Sequence, residues 1–373
     1  MAPVVKALAA ERGLRSITCV TGQHRTMLDQ VLDLFGIKPD YDLAVMAPNQ
    51  TLNGLASRVT SALDTVIANV TPDYILVHGD TTTAMAAGLA AFHRNVPIGH
   101  VEAGLRTYDL QKPWPEEFNR RVIDVAATKL FAPTETSADN LRGERLRGDI
   151  LVTGNTVIDA LKETVKCIET DKALKTELDT QFAFLDPSKR LLLVTGHRRE
   201  SFGDGFLKIC EALRELGRKR EDLQIVYPVH LNPNVSGPVH ELLGNERNIR
   251  LIDPQEYLSF VYLMNRAHIV LTDSGGVQEE APSLGKPVLV MRDVTERPEA
   301  VAAGVVRLVG TDPARIIEEV THLLDDQDYY ASFARTLNPY GDGFASQRIA
   351  ASLAGKSVIP FAAAACGLAQ VIF

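Results

Sequence analysis

The sequence is poor in the features that mark several large protein classes. Its four cysteines, Cys19, Cys167, Cys210 and Cys366, are scattered over 373 residues with no CxxC spacing. That excludes a disulfide framework or thiolate metal site and fits reduced packing residues. No HxxxH, HExxH or Cys/His cluster occurs, so no metal is expected. A GxGxxG fingerprint is absent as well, which argues against NAD, and no other cofactor is called for. Basic charge is not in excess: the net charge of −8 argues against a nucleic-acid partner, which needs a basic face, yet leaves room for a local anion pocket. No secretory leader is expected, because Met1 to Leu14 alternates apolar and charged positions like an amphipathic helix with no cleavage site. A cytoplasmic location is therefore expected. The uncharged stretch Ser357 to Phe373 falls short of the roughly 20 residues a spanning helix needs, and Pro360 and Gly367 interrupt it. It reads as an apolar tail, and no membrane insertion is expected.

What is present is ordinary in amount and ordered in pattern. A hydrophobic fraction of 45% and a charged fraction of 23% suit a chain that buries a sizeable core, and the length suits two domains. Short apolar runs recur, each ending in polar or turn residues: Tyr74–Val77, Lys129–Phe131, Ile150–Val152, then Leu191–Val194, Gln224–Val226, Ile269–Leu271 and Pro287–Met291. Runs rich in Val, Ile and Leu without alternation are what parallel strands covered on both faces require. Helical patterns such as Thr82–Phe92 and Phe206–Lys219 supply the crossovers. The fold class is therefore α/β, with two doubly wound, Rossmann-like domains. The N-terminal domain is expected over 1–157, with 345–356 packing back on it, and the C-terminal domain over 158–344. The tail from 357 to 373 is left without a role.

In such sheets ligands bind beyond the carboxyl ends of the strands, so the residues there are the candidates. Thr272-Asp273-Ser274-Gly275-Gly276 joins a strand to a helix, where glycines permit close approach and free N–H groups attract phosphate. The same pair of glycines would also serve a tight turn with no ligand. Glu279 and Glu280 are placed in the first turn of the following helix, where a carboxylate could accept from ribose hydroxyls or complement the helix dipole. His78-Gly79-Asp80 and His100-Val101-Glu102 put acidic residues just past strand ends. Pro115-Glu116-Glu117 adds two more at a helix entry, and His197-Arg198-Arg199 places cations at an equivalent position. Singly, Asp80 would pass as an N-cap and His78 or His100 as core histidines. Together they describe a site with acid–base capacity and an anion subsite.

These strings, in order, resemble the non-hydrolysing UDP-N-acetylglucosamine 2-epimerase family over nearly the whole chain. The specific pieces include CVTGQHRTMLDQVL, VHGDTTTA, GHVEAGLRT, PWPEEFNRR, TGNTVIDAL, TGHRRESFG, YPVHLNPNV, DSGGVQEEAPSLGKPVLVMRD and NPYGDG. The resemblance implies a GT-B type fold, with the two domains facing a central cleft. It also implies reversible epimerisation of UDP-N-acetylglucosamine to UDP-N-acetylmannosamine, through loss of UDP to 2-acetamidoglucal, and a homodimer. By matching positions, Asp80, Glu102 and Glu116 are the implied catalytic carboxylates and His197 the essential histidine. Ser274, Gly275 and Gly276 would hold the diphosphate, Glu280 the ribose, Arg297 the phosphate or sugar, and the region of Phe260 the uracil. Gln23, Arg58, Arg198 and His230 match a second, allosteric site for UDP-N-acetylglucosamine.

One departure stands out. Family members begin with a strand and a Gly-Thr-Arg-Pro-Glu loop ahead of the helix that Met1-Ala2-Pro3-Val4 matches. The first strand of the N-terminal sheet is thus expected to be missing, and activity to be conditional on it. A glycosyltransferase, a hydrolysing epimerase and a non-catalytic UDP-sugar-binding protein are the competing readings.

Overall fold

The computed structural model describes residues 1–363 apart from 23–24, 48, 199–202, 296 and 335–337; residues 364–373 lie outside the description. The chain divides into two compact units. One comprises Met1–Ala160 with Gly341–Ala362; the other is Leu161–Tyr340.

Among the described residues twelve strands carry the architecture: β1 (Cys19–Val20), β2 (Tyr41–Asp42), β3 (Ile75–His78), β4 (Ile98–Val101), β5 (Lys129–Ala132), β6 (Asp149–Val152), β7 (Arg190–Thr195), β8 (Leu223–Pro228), β9 (Ile249–Ile252), β10 (Ile269–Thr272), β11 (Val288–Val290) and β12 (Val306–Leu308). In the first unit β3-β4-β5-β6 form a four-stranded parallel sheet, and β1 pairs with β2 in a separate two-stranded one. In the second unit one parallel sheet runs β12-β11-β10-β7-β8-β9 without interruption.

The sequence explains both. Leu191 to Val194 is buried residue after residue, because helices cover both faces of β7. Removing each such side chain from water contributes about 1.5–3 kcal/mol. The covering helix Asp204–Lys219 buries Phe206, Ile209, Cys210, Leu213 and Leu216, the three-and-four spacing of one helical face. In the first unit the helix Leu52–Val70 presents Leu55, Val59, Leu63 and Ile67 to the core. It is started by Thr51, whose hydroxyl accepts from the Gly54 N–H at 3.1 Å.

The end of the described chain returns to the first unit. Asp159 accepts from the Ala345 and Ser346 N–H groups at 3.2 and 2.7 Å, which fixes the start of the helix Ala345–Leu353. Phe361 is buried, and its N–H donates to the Val152 carbonyl at 2.8 Å. Among the described residues no helix is long and apolar enough to cross a membrane.

Candidate active site

In the first unit the ends of β3 and β4 lie side by side, with His78 opposite Val101. The chain leaves β3 through Gly79 at φ +67°. A Cβ there would stand 3.2 Å from a Glu102 carboxylate oxygen, so conformation and space both require glycine. Asp80 follows but does not cap the next helix. That task falls to Thr81, whose hydroxyl accepts from the Ala84 N–H at 3.2 Å. The difference from expectation matters, because it leaves the Asp80 carboxylate for another partner, the Arg120 guanidinium. Asn119 fixes the same turn by donating to the Asp80 carbonyl at 2.9 Å.

The two glutamates of Pro115-Glu116-Glu117 separate in role. Glu117 is fully buried, accepts from the Thr107 and Tyr108 N–H groups at 3.1 Å each, and meets Arg120 at 3.3 Å. It therefore builds the loop. Glu116 is half-buried at the first position of the helix Glu116–Ala126. Beyond β4, Glu102 sits at φ +69°, a conformation uncommon for a non-glycine residue, with a carboxylate oxygen 3.7 Å from His78 Nε2. Gly104 follows at φ +88°, where a Cβ would lie 2.3 Å from the Ser137 carbonyl. Asp80, Glu102 and Glu116 are thus carried on the two neighbouring strand ends and on the helix whose Arg120 binds Asp80.

In the second unit β7 and β10 pair so that Thr195 faces Thr272, and their hydroxyls are 2.6 Å apart. This register brings the segment after β7 against the segment after β10. Asp273 is buried there. Its Oδ2 accepts from the backbone N–H groups of His197 and Arg198 at 2.7 and 2.8 Å. Among the described residues its Oδ1 has no hydrogen-bond partner, although His197 Nδ1 stands 3.4 Å away. His197 is exposed and stacks on His230 at 5.5 Å. The helix Gly275–Glu280 begins with glycines that leave room: a Cβ on Gly275 would touch the Arg198 guanidinium at 3.7 Å, and one on Gly276 would meet nothing within 4 Å.

Further along that helix, Glu280 lies in the second turn, beyond the first turn where the sequence placed it. Burial is the main cause that pushes its carboxyl up to about 7; a Tyr257 hydroxyl 3.3 Å away opposes the shift and Glu279 adds to it. Arg297 pairs with the buried Glu279. Phe260 is half-buried on the helix Tyr257–Arg266. Among the described residues no group of three or more His, Cys, Asp or Glu is disposed to hold a metal ion.

A sequence model of the UDP-N-acetylglucosamine 2-epimerase family matches residues 6–354. The chain belongs to that family. A UDP-N-acetylglucosamine 2-epimerase of Escherichia coli is 56% identical over 359 residues, 96% of each chain, and one from Neisseria meningitidis serogroup A is 51% identical over 354 residues, 95% of each. A crystal structure of UDP-GlcNAc 2-epimerase from Neisseria meningitidis bound to UDP-GlcNAc superposes with a TM-score of 0.86 at 50% identity. That match covers 95% of this chain and 96% of the other. The Methanocaldococcus jannaschii UDP-GlcNAc 2-epimerase in complex with UDP-GlcNAc and UDP gives 0.75 at 30% identity, covering 95% of each. The fold is accordingly of GT-B type, as expected for a member of this epimerase family.

Within the family frame, the residues matched to an allosteric site fall differently. Arg58 is in the first unit, where its Nε donates to the Val45 carbonyl at 3.1 Å and its guanidinium also binds Gln50. His230 and Arg198 belong to the second unit and adjoin His197 and Gly275. Gln23 lies outside the described residues. Sequence reasoning passed over Arg120, which holds Asp80, and Asp273, which it read only as part of a turn. Asp273 could have been found from its place directly after the strand β10.

Proposed function

We propose that this epimerase-family chain interconverts UDP-N-acetylglucosamine and UDP-N-acetylmannosamine. The C2 proton of the sugar has no adjacent carbonyl to acidify it, so direct abstraction is slow. Cleaving the anomeric C1–O bond first, with UDP carrying away the electron pair, puts positive charge beside C2. A carboxylate then takes the C2 proton, and the C–H electrons form the C1–C2 double bond of 2-acetamidoglucal. Protonation of C2 from the other face and attack of the UDP oxygen on C1 restore the linkage with C2 inverted. The sequence asks for neither metal nor nicotinamide, only for placed carboxylates and a held diphosphate.

The observation that carries this reading is the gathering of Asp80 and Glu102 at adjacent strand ends, beside the helix that begins with Glu116. In our reading those three handle the sugar. His197, Ser274, Gly275, Gly276 and Arg297 hold the diphosphate, Glu280 the ribose, and the neighbourhood of Phe260 the uracil. Arg58, Arg198 and His230 are assigned a regulatory role towards the same nucleotide sugar; the stacking of His230 on His197 supports a link to the active histidine. A homodimer working in the cytoplasm, where nucleotide sugars are made, completes the proposal.

Incubation with UDP-N-acetylglucosamine in heavy water tests it. Deuterium at C2 of a product still joined to UDP is expected. Free N-acetylmannosamine, or transfer of the sugar to an acceptor, would overturn the proposal in favour of a hydrolysing epimerase or a glycosyltransferase.

A further inference from the structure

The proposed carboxylates occupy three separate segments, and one buried pair of side chains reaches all three. His100, on β4, has no exposed surface. Its Nε2 is 2.8 Å from the carbonyl oxygen of Gly79, the residue before Asp80. Its Nδ1 is 2.6 Å from Oδ1 of Asp124. Asp124 is on the helix Glu116–Ala126, which begins with Glu116. The other oxygen of Asp124 accepts from the Gly104 N–H at 3.3 Å, two residues after Glu102, and pairs with Arg106 at 2.8 Å. Arg106 in turn binds Glu144 through two hydrogen bonds of 2.7 and 2.8 Å.

Both ring nitrogens of His100 thus face oxygen atoms, which holds the ring between the Gly79 carbonyl and the Asp124 carboxylate. Around this pair, Arg106 joins Asp124 to the half-buried Glu144, Arg121 stands 4.0 Å from Glu144, and His78 lies against Glu102.

We propose that the His100–Asp124 pair is the positioning device that sets Asp80, Glu102 and Glu116 relative to one another. The inference rests on the epimerase reading for its kinetic consequence, but not for the contacts themselves. His100 does not touch the sugar. It acts through the Gly79 carbonyl, which fixes the backbone that aims Asp80. Asp124 acts through the Gly104 N–H, which closes the turn that holds Glu102 in its left-handed conformation.

Two substitutions separate the contacts. His100→Gln can keep a donor for the Gly79 carbonyl and loses the contact with Asp124. His100→Asn can keep a donor near Asp124 and releases Gly79. Each should lower kcat for C2 exchange by about 100-fold, the cost of roughly an ångström of misplacement, with KM and the affinity for UDP within about twofold. A purely structural role would lower the melting temperature and leave the kcat of the folded fraction alone. In an Asp80→Asn background His100→Asn should cost less than about threefold, because the group that the Gly79 contact positions is already gone. Full wild-type kcat in the folded variants, or an equal cost of His100→Asn in both backgrounds, would overturn the proposal.

Nitrogen-15 spectra of the wild-type histidines supply a test that needs no activity and no altered fold. His100 Nδ1 should carry a slowly exchanging proton, the one shared with Asp124. A rapidly exchanging or absent Nδ1 proton would contradict the pairing. If the wild-type protein itself shows no C2 exchange, the functional reading fails, and these spectra still decide whether Asp124 holds His100.

Discussion

The two units solve the same problem, a polar group at the end of a parallel strand, in opposite ways. In the first unit the strand-end Asp80 is tied down by Arg120, and on the helix beside it Asp124 is held by His100 and Arg106 and Glu117 by Arg120 and two backbone N–H groups. In the second unit the polar groups after β7 and β10 are shaped and then left open. Asp273 spends one oxygen on two backbone N–H groups and has no hydrogen-bond partner for the other among the described residues, His197 is exposed, and Gly276 borders empty space. The difference fits the chemistry proposed for each. A base that moves a proton at one carbon must not wander, and Arg120 holds Asp80. A diphosphate brings its own charge, and the exposed His197 and the open space at Gly276 suit its arrival.

The contrast can be broken from either side. The largest effect is expected from Asp80→Asn or Glu102→Gln, which should cut C2 exchange by about 1,000-fold or more and leave UDP affinity, measured by calorimetry, near wild type. Loss of UDP binding instead would erase the division of labour. Next is Arg120→Met, which strands Asp80 and the fully buried Glu117. Removing one partner of a buried pair should cost about 3 kcal/mol in urea unfolding, and a loss under about 1 kcal/mol would show that Arg120 does not organise the loop.

In the second unit Asp273→Asn weakens the charge-assisted acceptor that orders the His197 and Arg198 backbone. A loss of about tenfold in UDP affinity is expected. Unchanged affinity would mean that this turn is not set for the nucleotide.

The narrowest effect belongs to Glu280, whose carboxyl is pushed from 4.5 up to about 7 chiefly by burial. Because the folded state holds this proton more tightly than the unfolded chain, the contribution of Glu280 to stability is full below pH 4.5, falls as pH rises towards 7 and is level above. Glu280→Gln should remove that decline, so the melting temperatures of variant and wild type should diverge with pH over this window. Parallel curves would place the ionisation elsewhere.

Much of this was legible in the sequence, for identifiable reasons. The unalternating run Leu191–Val194 announces a strand buried on both faces, and its polar successors mark the ligand end of the sheet. The segments bearing Asp80, Glu102, Glu116, His197 and Asp273 could all be located as strand ends or helix entries. Their pairing could not. The contact of Asp273 with the His197 backbone depends on the register of β10 against β7, and the bond of His100 to Asp124 crosses from a strand to a helix. Neither leaves a local spacing to read. The choice of Thr81 over Asp80 as the cap is equally invisible, since both residue types cap helices well; Arg120 decides it by claiming the aspartate. The division of the first unit's strands into two sheets, against one continuous sheet in the second, likewise depends on pairings that apolar runs do not encode.

The central claim is that the first unit's carboxylates move the C2 proton while the second unit holds UDP. It is tested most directly by following deuterium incorporation from heavy water into UDP-linked sugar for the wild-type protein and Asp80→Asn in parallel, with UDP affinity measured on the same samples. The account predicts C2 deuterium in the wild type, at least about 1,000-fold slower incorporation in the variant, and equal UDP affinity in the two. Undiminished deuterium incorporation by Asp80→Asn would contradict it.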